Sequence, residues 1–322
     1  MSESEKTVGL AIPDKENERR RALLPDDLVR MSHASSIVVE EGYGLSIGAS
    51  DEMYAAAGAV VAPRSTVMSQ PIVCTMKSPS DSDFALMSDG QTLFCWVHAV
   101  QGRRVVDQLL DRRMSAIAWE DMFRAGRHVF WLNNRIAGYA AILHVSTLIG
   151  ESLEGRSAAL IGRGNVAEGA YASLTRLGAR VRVYDRETEG LLREEIGGYD
   201  LVVNAVLWDV FRTDHIVYRE DLGRMRPGAW IVDISCDEAM GIESSRPTTI
   251  EDPIYVDAGV WHYVVDHTPT ILHRDATRSV SAAVWPYLDL LCAGRDDEVL
   301  SAAYALRDGV ITDARITRFQ GR

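Results

Sequence analysis

The stretch that most restricts the fold of this chain lies at its middle: RSAALIGRGNVAEGAYASLTRLGARVRVYD, from Arg156 to Asp185. A short apolar run, SAALI, meets a cluster of glycines, then a helix-like segment, then a second apolar run that ends in an acid. In G-x-G-x-x-A form its fixed residues are Gly162, Gly164 and Ala167. The first glycine permits a tight turn, the second lets backbone approach a pyrophosphate, and the small third residue lets helix and strand pack closely. Asn165 is expected to cap the helix, and the N–H groups of Asn165, Val166 and Ala167 then offer an anion site. Gly178 supplies the positive φ at which this helix ends.

Taken bare, G-x-G-x-x-A is weak, and a mere turn is its plain alternative. Here it follows a strand and opens a helix, the setting in which the pattern is specific for a dinucleotide. Asp185, about 20 residues past Gly164, stands where a ribose diol is accepted; its bland alternative is a solvated turn residue. Its charge opposes a 2′-phosphate, so NAD(H) is expected to be favoured over NADP(H). Arg186 works the other way, since an arginine there can stack on adenine or pair with that phosphate.

The turn comes late because a complete domain precedes it. Short apolar runs, TVGLAI (7–12), SIVVEE (36–41), PIVCTM (71–76), TLFCWV (92–97) and MSAIAW (114–119), alternate with helical candidates such as PDDLVRMS and GRRVVDQLLDRRM. Strand then helix, repeated, implies a parallel sheet with helices on its faces. A long linking helix is expected over AGYAAILHVSTLIGESLEG (137–155), ended by Gly155. The alternation then restarts with SAALI, RVRVY, DLVVNAVL and AWIVDIS. An irregular stretch at 248–275 leads to the last helical segments, RSVSAAVWPYLDLLCAG and DEVLSAAYAL. The expected fold class is α/β with two Rossmann-like domains. A dinucleotide-binding domain, 137–269, is inserted into a discontinuous substrate domain made of 1–136 and 270–322.

With Lys+Arg 34 against Asp+Glu 46, a net charge of −12 leaves no diffuse positive field for nucleic acid or anionic lipid. No apolar stretch approaches the ~20 residues that span a bilayer. The polar start MSESEKTVGLAIP lacks a secretory h-region, so a cytoplasmic protein with small-molecule partners is expected. Cys74, Cys95, Cys236 and Cys292 show no CxxC spacing, which argues against disulfides and against a metal site; each is expected as a buried small hydrophobe.

In the leading domain Arg20 (NERRRALLP), Lys77 (VCTMKSP) and His98 (LFCWVHA) each follow a strand candidate. Carboxyl ends of parallel strands open onto the ligand crevice. Arginine grips a carboxylate with two hydrogen bonds, lysine polarises a carbonyl, and histidine exchanges protons near neutral pH. Such a set suits reduction of a 2-oxo acid or its imine. The bland readings stand beside it: Arg19, Arg20 and Arg21 as a solvated charge run, Lys77 as a turn residue, His98 as a satisfied strand-end histidine.

The segments NERRRALLP, KSP, GQTLFCWVHA, VDISCDEAMGIESSRPTT and the central glycine turn resemble the alanine dehydrogenase superfamily, which includes saccharopine-type reductases. Within it, WVH, AGYAAILH, GNVAEGA, TIEDPIY, YVVDHTPTI and RDATRSVSAA are more similar to the opine-forming branch typified by N5-(carboxyethyl)ornithine synthase. The resemblance implies that Arg20 and Lys77 contact the substrate carboxylate and carbonyl, and that His98 is the acid/base. It implies that Asp237 is the active-site aspartate, a residue otherwise read as a helix N-cap, and that Ala137 and Gly138 lie beside the cofactor. It also implies a homo-oligomer. Two departures stand out. IGESLEGRS replaces the glycine-rich segment that alanine dehydrogenases carry, and DHTP (266–269) stands where asparagines are commoner.

The implied activity is NAD(P)H-dependent reduction of the imine between a pyruvate-like 2-oxo acid and an ornithine- or lysine-like amine. Reductive amination with ammonia, as in alanine dehydrogenase, is the alternative. A non-catalytic NAD(H)-binding module like that of a transhydrogenase is the alternative of another class.

Overall fold

In the computed structural model, which describes residues 5–322, the chain divides into two compact units. One is the chain up to Trp131 together with His273–Arg322; the other is Leu132–Leu272. Both are α/β. In the first unit β1 (Val8–Leu10), β2 (Ile37–Glu40), β3 (Val60–Ala62), β4 (Ile72–Cys74), β5 (Thr92–Cys95) and β6 (Ser115–Ala118) run parallel, with β1 between β2 and β4. Alternate residues serve opposite faces: Val8, Leu10, Ile37, Val39, Ile72 and Cys74 join one core, while Val38 and Val73 join the other. Strands buried on both faces need near-continuous apolar runs, and that is the pattern the sequence shows. Each fully buried aliphatic side chain contributes about 1.5–3 kcal/mol. The edge strand β3 was not expected, because Val60 is half exposed and the strand is only three residues long.

A small ribbon follows, β7 (Phe123–Arg124) with β8 (Arg127–His128), and then a helix, Trp131–Ile149. This helix begins ahead of Ala137 and ends at Gly150 (φ +70°), not at Gly155. The second unit has β9 (Ser157–Ile161), β10 (Arg180–Tyr184), β11 (Leu201–Asn204), β12 (Trp230–Asp233), β13 (Ile254–Asp257) and β14 (Val260–Tyr263), in the order β10-β9-β11-β12-β14-β13. All pairs are parallel except β13 with β14. The stretch expected to be irregular therefore holds a hairpin, and its second strand extends the parallel sheet.

The chain returns to the first unit through the helix His273–Cys292 and a short helix, Glu298–Ala302. The expected helix over DEVLSAAYAL stops there, and β15 (Tyr304–Arg307) pairs antiparallel with β6 and with β16 (Val310–Ile311). Three hairpins escaped the sequence reading, and each turns through two residues of positive φ ending in glycine: Ala125-Gly126, Ala258-Gly259 and Asp308-Gly309. This is the turn whose twist matches paired strands. Of the three, Asp-Gly is a strong signal; alanine in the first position is not.

Among the described residues no helix is long and apolar enough to cross a membrane, and no group of three or more His, Cys, Asp or Glu could hold a metal ion. Cys74, Cys95 and Cys292 are buried. Cys236 is not fully buried and adopts φ +59°, so it is not the simple core residue expected.

Candidate active site

A doubly wound sheet opens for ligand where its strand order reverses, at the strands' carboxyl ends. In the first unit that point lies between β1 and β4. Glu18 and Arg20 follow β1 and Lys77 follows β4, so topology brings these three together. Arg20 Nε donates to Glu18 Oε1 at 2.8 Å and Nη2 to Oε2 at 2.5 Å, and the Arg20 backbone N–H also reaches Oε1 at 3.0 Å. Neither side chain is more than 3% exposed, and the guanidinium lies 5.3 Å from the Trp96 ring centre. Burial pushes the Glu18 carboxyl up, yet the Arg20 guanidinium and nearby Lys77 overcome it and hold the group below the usual carboxylate range. The two-bond grip expected of Arg20 is thus already made within the chain, because a buried guanidinium needs a partner. The solvated charge-run reading fails for Arg20 and Arg21, both buried. Arg21 is structural: its side chain binds the carbonyls of Tyr43 and Arg20.

Ser78, next to Lys77, donates to the Val97 carbonyl at 2.9 Å, which ties the loop after β4 to the loop after β5. His98 lies within that second loop. It is exposed, with φ +51°, a conformation that costs energy for any residue but glycine. Glu120, in the short turn Trp119–Asp121 that follows β6, holds the bend: its carboxylate accepts the N–H of His98 at 2.5 Å and of Val97 at 3.1 Å. Burial pushes the Glu120 carboxyl up to about 7. Neither Glu18 nor Glu120 was singled out from sequence, although Glu120 obeys the same strand-end rule that picked out His98.

In the second unit the order reverses between β9 and β11. Gly162 turns the chain at φ +110°, and a Cβ there would come within 3.0 Å of the Ala205 carbonyl. Gly164 is the N-cap of the helix Asn165–Arg176, which corrects the assignment of Asn165: that residue is the first of the helix. A Cβ on Gly164 would meet nothing within 4 Å, so the space in front of the helix start is open. The unspent N–H groups of Asn165, Val166 and Ala167 belong to this turn. Together these fit a pyrophosphate. Gly138 serves packing, since a Cβ there would lie 1.9 Å from the Val166 carbonyl; Gly169 meets the Arg135 carbonyl in the same way at 1.8 Å. The Ala137 carbonyl accepts Thr268 Oγ1 at 3.0 Å.

Asp185 directly follows β10 and is not free-standing. Arg163 Nε donates to its Oδ2 at 2.8 Å, and Thr188 Oγ1 to its Oδ1 at 2.9 Å. These bonds, Arg163 first, hold its carboxyl below the usual range. A cavity of about 210 Å³ here is lined by Gly162, Arg163, Asp185, exposed Arg186, Trp208 and Arg212. Arg163 was passed over as the variable residue of the glycine pattern.

Asp237 lies in a loop after β12 with no helix behind it, so it is no N-cap. The loop hangs from buried Asp233, whose carboxylate accepts Asn204 Nδ2 (2.9 Å), Ser245 Oγ (2.5 Å) and the N–H groups of Ser235 (3.1 Å) and Cys236 (3.3 Å). Burial, with the charge of Asp237 nearby, pushes Asp233 up to about 6. In DHTP, His267 Nδ1 sits 2.6 Å from Asp266 Oδ1.

Comparison with known proteins follows the same division. Residues 12–137 match the family model "Alanine dehydrogenase/PNT, N-terminal domain" and residues 186–318 its C-terminal domain. An N(5)-(carboxyethyl)ornithine synthase of Lactococcus lactis is 28% identical over 85% of this chain and 93% of its own. An alanine dehydrogenase of Halomonas elongata is 27% identical over 94% of each. A solved L-alanine dehydrogenase superposes with a TM-score of 0.83 over 98% of this chain and 99% of its own, at 24% identity.

Proposed function

Because the chain belongs to the alanine dehydrogenase/PNT family, we propose that it is a nicotinamide-dependent oxidoreductase of imines. Its substrates are a 2-oxo acid such as pyruvate and an amino-acid amine such as that of ornithine or lysine. Its product is an N-(carboxyalkyl) amino acid. The observation that carries this reading is the meeting of Glu18, Arg20 and Lys77 at the strand-order reversal of the first unit. A carrier of dinucleotide alone has no use for a fixed cationic pair there. The opine branch is favoured over simple amination by its relatives named N(5)-(carboxyethyl)ornithine synthase, which match across 92–93% of their length.

When bound, the nicotinamide supplies the hydride taken up by the imine carbon. The remaining work belongs to side chains. Lys77 sets a positive charge beside the 2-oxo acid and draws electrons toward the carbonyl oxygen. Arg20, held in place and neutralised by Glu18, is assigned as a contact of the substrate carboxylate, while Lys77 supplies the net attraction. As the amine nitrogen bonds to C2, His98 passes the two protons of that nitrogen in turn to the carbonyl oxygen, which leaves as water and leaves the C=N bond of the imine. Glu120 keeps His98 in the bent backbone that presents it. Asp237 is assigned as the active-site aspartate of the second unit. Gly162, Gly164, Asn165, Val166 and Ala167 are assigned to the pyrophosphate, Asp185 to the ribose diol and Arg186 to the adenine rim, with NADH favoured over NADPH.

The test is a matrix of 2-oxo acids and amines with reduced cofactor, followed by nicotinamide absorbance and mass spectrometry. With pyruvate, ornithine or lysine should be consumed faster than ammonia and gain a carboxyethyl group. Free alanine as the sole product would favour the second reading, which the match to the Halomonas enzyme supports. Hydride exchange between nucleotides with no amine required would favour a transhydrogenase-like module.

A further inference from the structure

The glycine pattern of the second unit has an arginine between its first two glycines, and that residue lies against the acid meant for the ribose. Arg163 Nε sits 2.8 Å from Asp185 Oδ2, and this is the one ion pair the structure gives Arg163 among the described residues. Its side chain is 67% exposed. Arg212 on the same wall is committed elsewhere: it donates to Glu189 and Asp214 at 2.7 and 2.6 Å, lies 4.5 Å over the Trp208 ring and is only 15% exposed. The cavity is lined by Arg163, Arg186 and Arg212 and by Asp185, Glu189 and Asp209, with Asp214 held on Arg212 beside it. The repulsion that a lone Asp185 would exert on a 2′-phosphate is offset by its ion pair with Arg163 before any ligand arrives.

We propose that Arg163 reads the 2′ position of the adenine ribose, so that the chain binds both NADH and NADPH. Resting on Asp185, it leaves Oδ2 one further site for a ribose hydroxyl, since each oxygen offers about two and Oδ1 already accepts Thr188 Oγ1 and the Glu187 N–H. Turned off Asp185, it stands with Arg186 against a 2′-phosphate. An ion pair this exposed opens cheaply, whereas a guanidinium meets a phosphate with two parallel hydrogen bonds. Arg163 thus sets the gap between the two cofactors, and Asp185 sets its sign. The inference rests on the reading that the second unit holds a nicotinamide dinucleotide.

The test is equilibrium binding of NADH and NADPH, followed by nicotinamide fluorescence, with 5′-AMP and 2′,5′-ADP as competitors that lack the nicotinamide. Wild type, Arg163→Gln and Arg163→Lys are compared, with melting curves to show that an exposed substitution leaves the fold alone. Arg163→Gln should weaken NADPH and 2′,5′-ADP by about tenfold and shift NADH and 5′-AMP by less than about twofold. Arg163→Lys should fall between, because it keeps charge but not the fork. Unchanged NADPH affinity in Arg163→Gln, or equal losses for both cofactors, would overturn the role of Arg163 and leave the cofactor site standing. Wild type that binds NADH but not NADPH would do the same. Wild type that binds neither would overturn the dinucleotide reading, and this inference with it.

Discussion

Both arms of the Arg20 fork close on the carboxylate of Glu18, two residues earlier, in a pair almost wholly removed from solvent. Taking two charges out of water is costly, and only good geometry repays it. Here the pair is neutral as a whole and leaves Lys77 coupled to the same carboxylate. Glu18, Arg20 and Lys77 together therefore keep one net positive charge, which a monocarboxylate would neutralise.

Removing one partner of such a pair costs about 3–5 kcal/mol. Glu18→Gln should lower stability by that order in urea unfolding at neutral pH, while exposed charge changes stay within about 1 kcal/mol. The folded carboxyl lies below its unfolded value of 4.5. Its contribution is therefore present above that pH and is lost as pH falls through the folded value. The gap between wild type and variant should narrow in acid; a gap that widened there would contradict the assigned pairing.

Lys77→Met and His98→Ala should lose most turnover and keep cofactor binding and melting temperature. A charged contact at the reacting centre is commonly worth about 2–5 kcal/mol, or on the order of 30- to 4000-fold in rate. Single-turnover rates with saturating substrate give the comparison. A variant with near-normal kcat removes its residue from the proposed chemistry.

Glu120→Gln probes the bend at His98. The folded carboxyl is raised to about 7 from 4.5, so its linkage runs opposite to that of Glu18. The contribution is complete below pH 4.5 and declines as pH rises through about 7. Glutamine does not titrate, so wild type should lose ground to the variant over that window, by at most about 1.4 kcal/mol per pH unit. Unfolding from about pH 5 to about pH 8 measures it. Parallel curves would show that Glu120 is ionised in both states.

The cofactor assignment predicts a higher kcat/KM for NADH than for NADPH, with Asp185→Ser moving preference toward NADPH. A difference of about 1.4 kcal/mol gives tenfold. Initial rates with each cofactor decide it, and a tenfold wild-type preference for NADPH would place Arg186 and Arg163 above Asp185.

Much of this architecture is visible in the order of residues, because a parallel strand buried on both faces must be an apolar run. Val8–Leu10, Ile72–Cys74, Ser157–Ile161 and Trp230–Asp233 announce themselves in this way. So does the turn at Gly162 and Gly164, whose constraint is local backbone geometry. Strand-end position was enough to select Lys77, His98 and Asp185. The edges were less legible. Val60–Ala62 is short and half wet, and the hairpins at Ala125-Gly126 and Ala258-Gly259 put alanine where asparagine or aspartate would have marked the turn.

What sequence could not supply was partnership between distant residues. Glu120 reaches the amides of Val97 and His98, Arg163 reaches Asp185, and Gly138 and Gly169 let two helices touch backbone to backbone. Composition and spacing determined two α/β units, the dinucleotide turn and the kinds of group at the strand ends. Tertiary structure alone decided which charge each group faces. The reason is physical: periodicity and turn geometry act over a few neighbouring residues, whereas an ion pair depends on distance and burial, which exist only once the chain has folded.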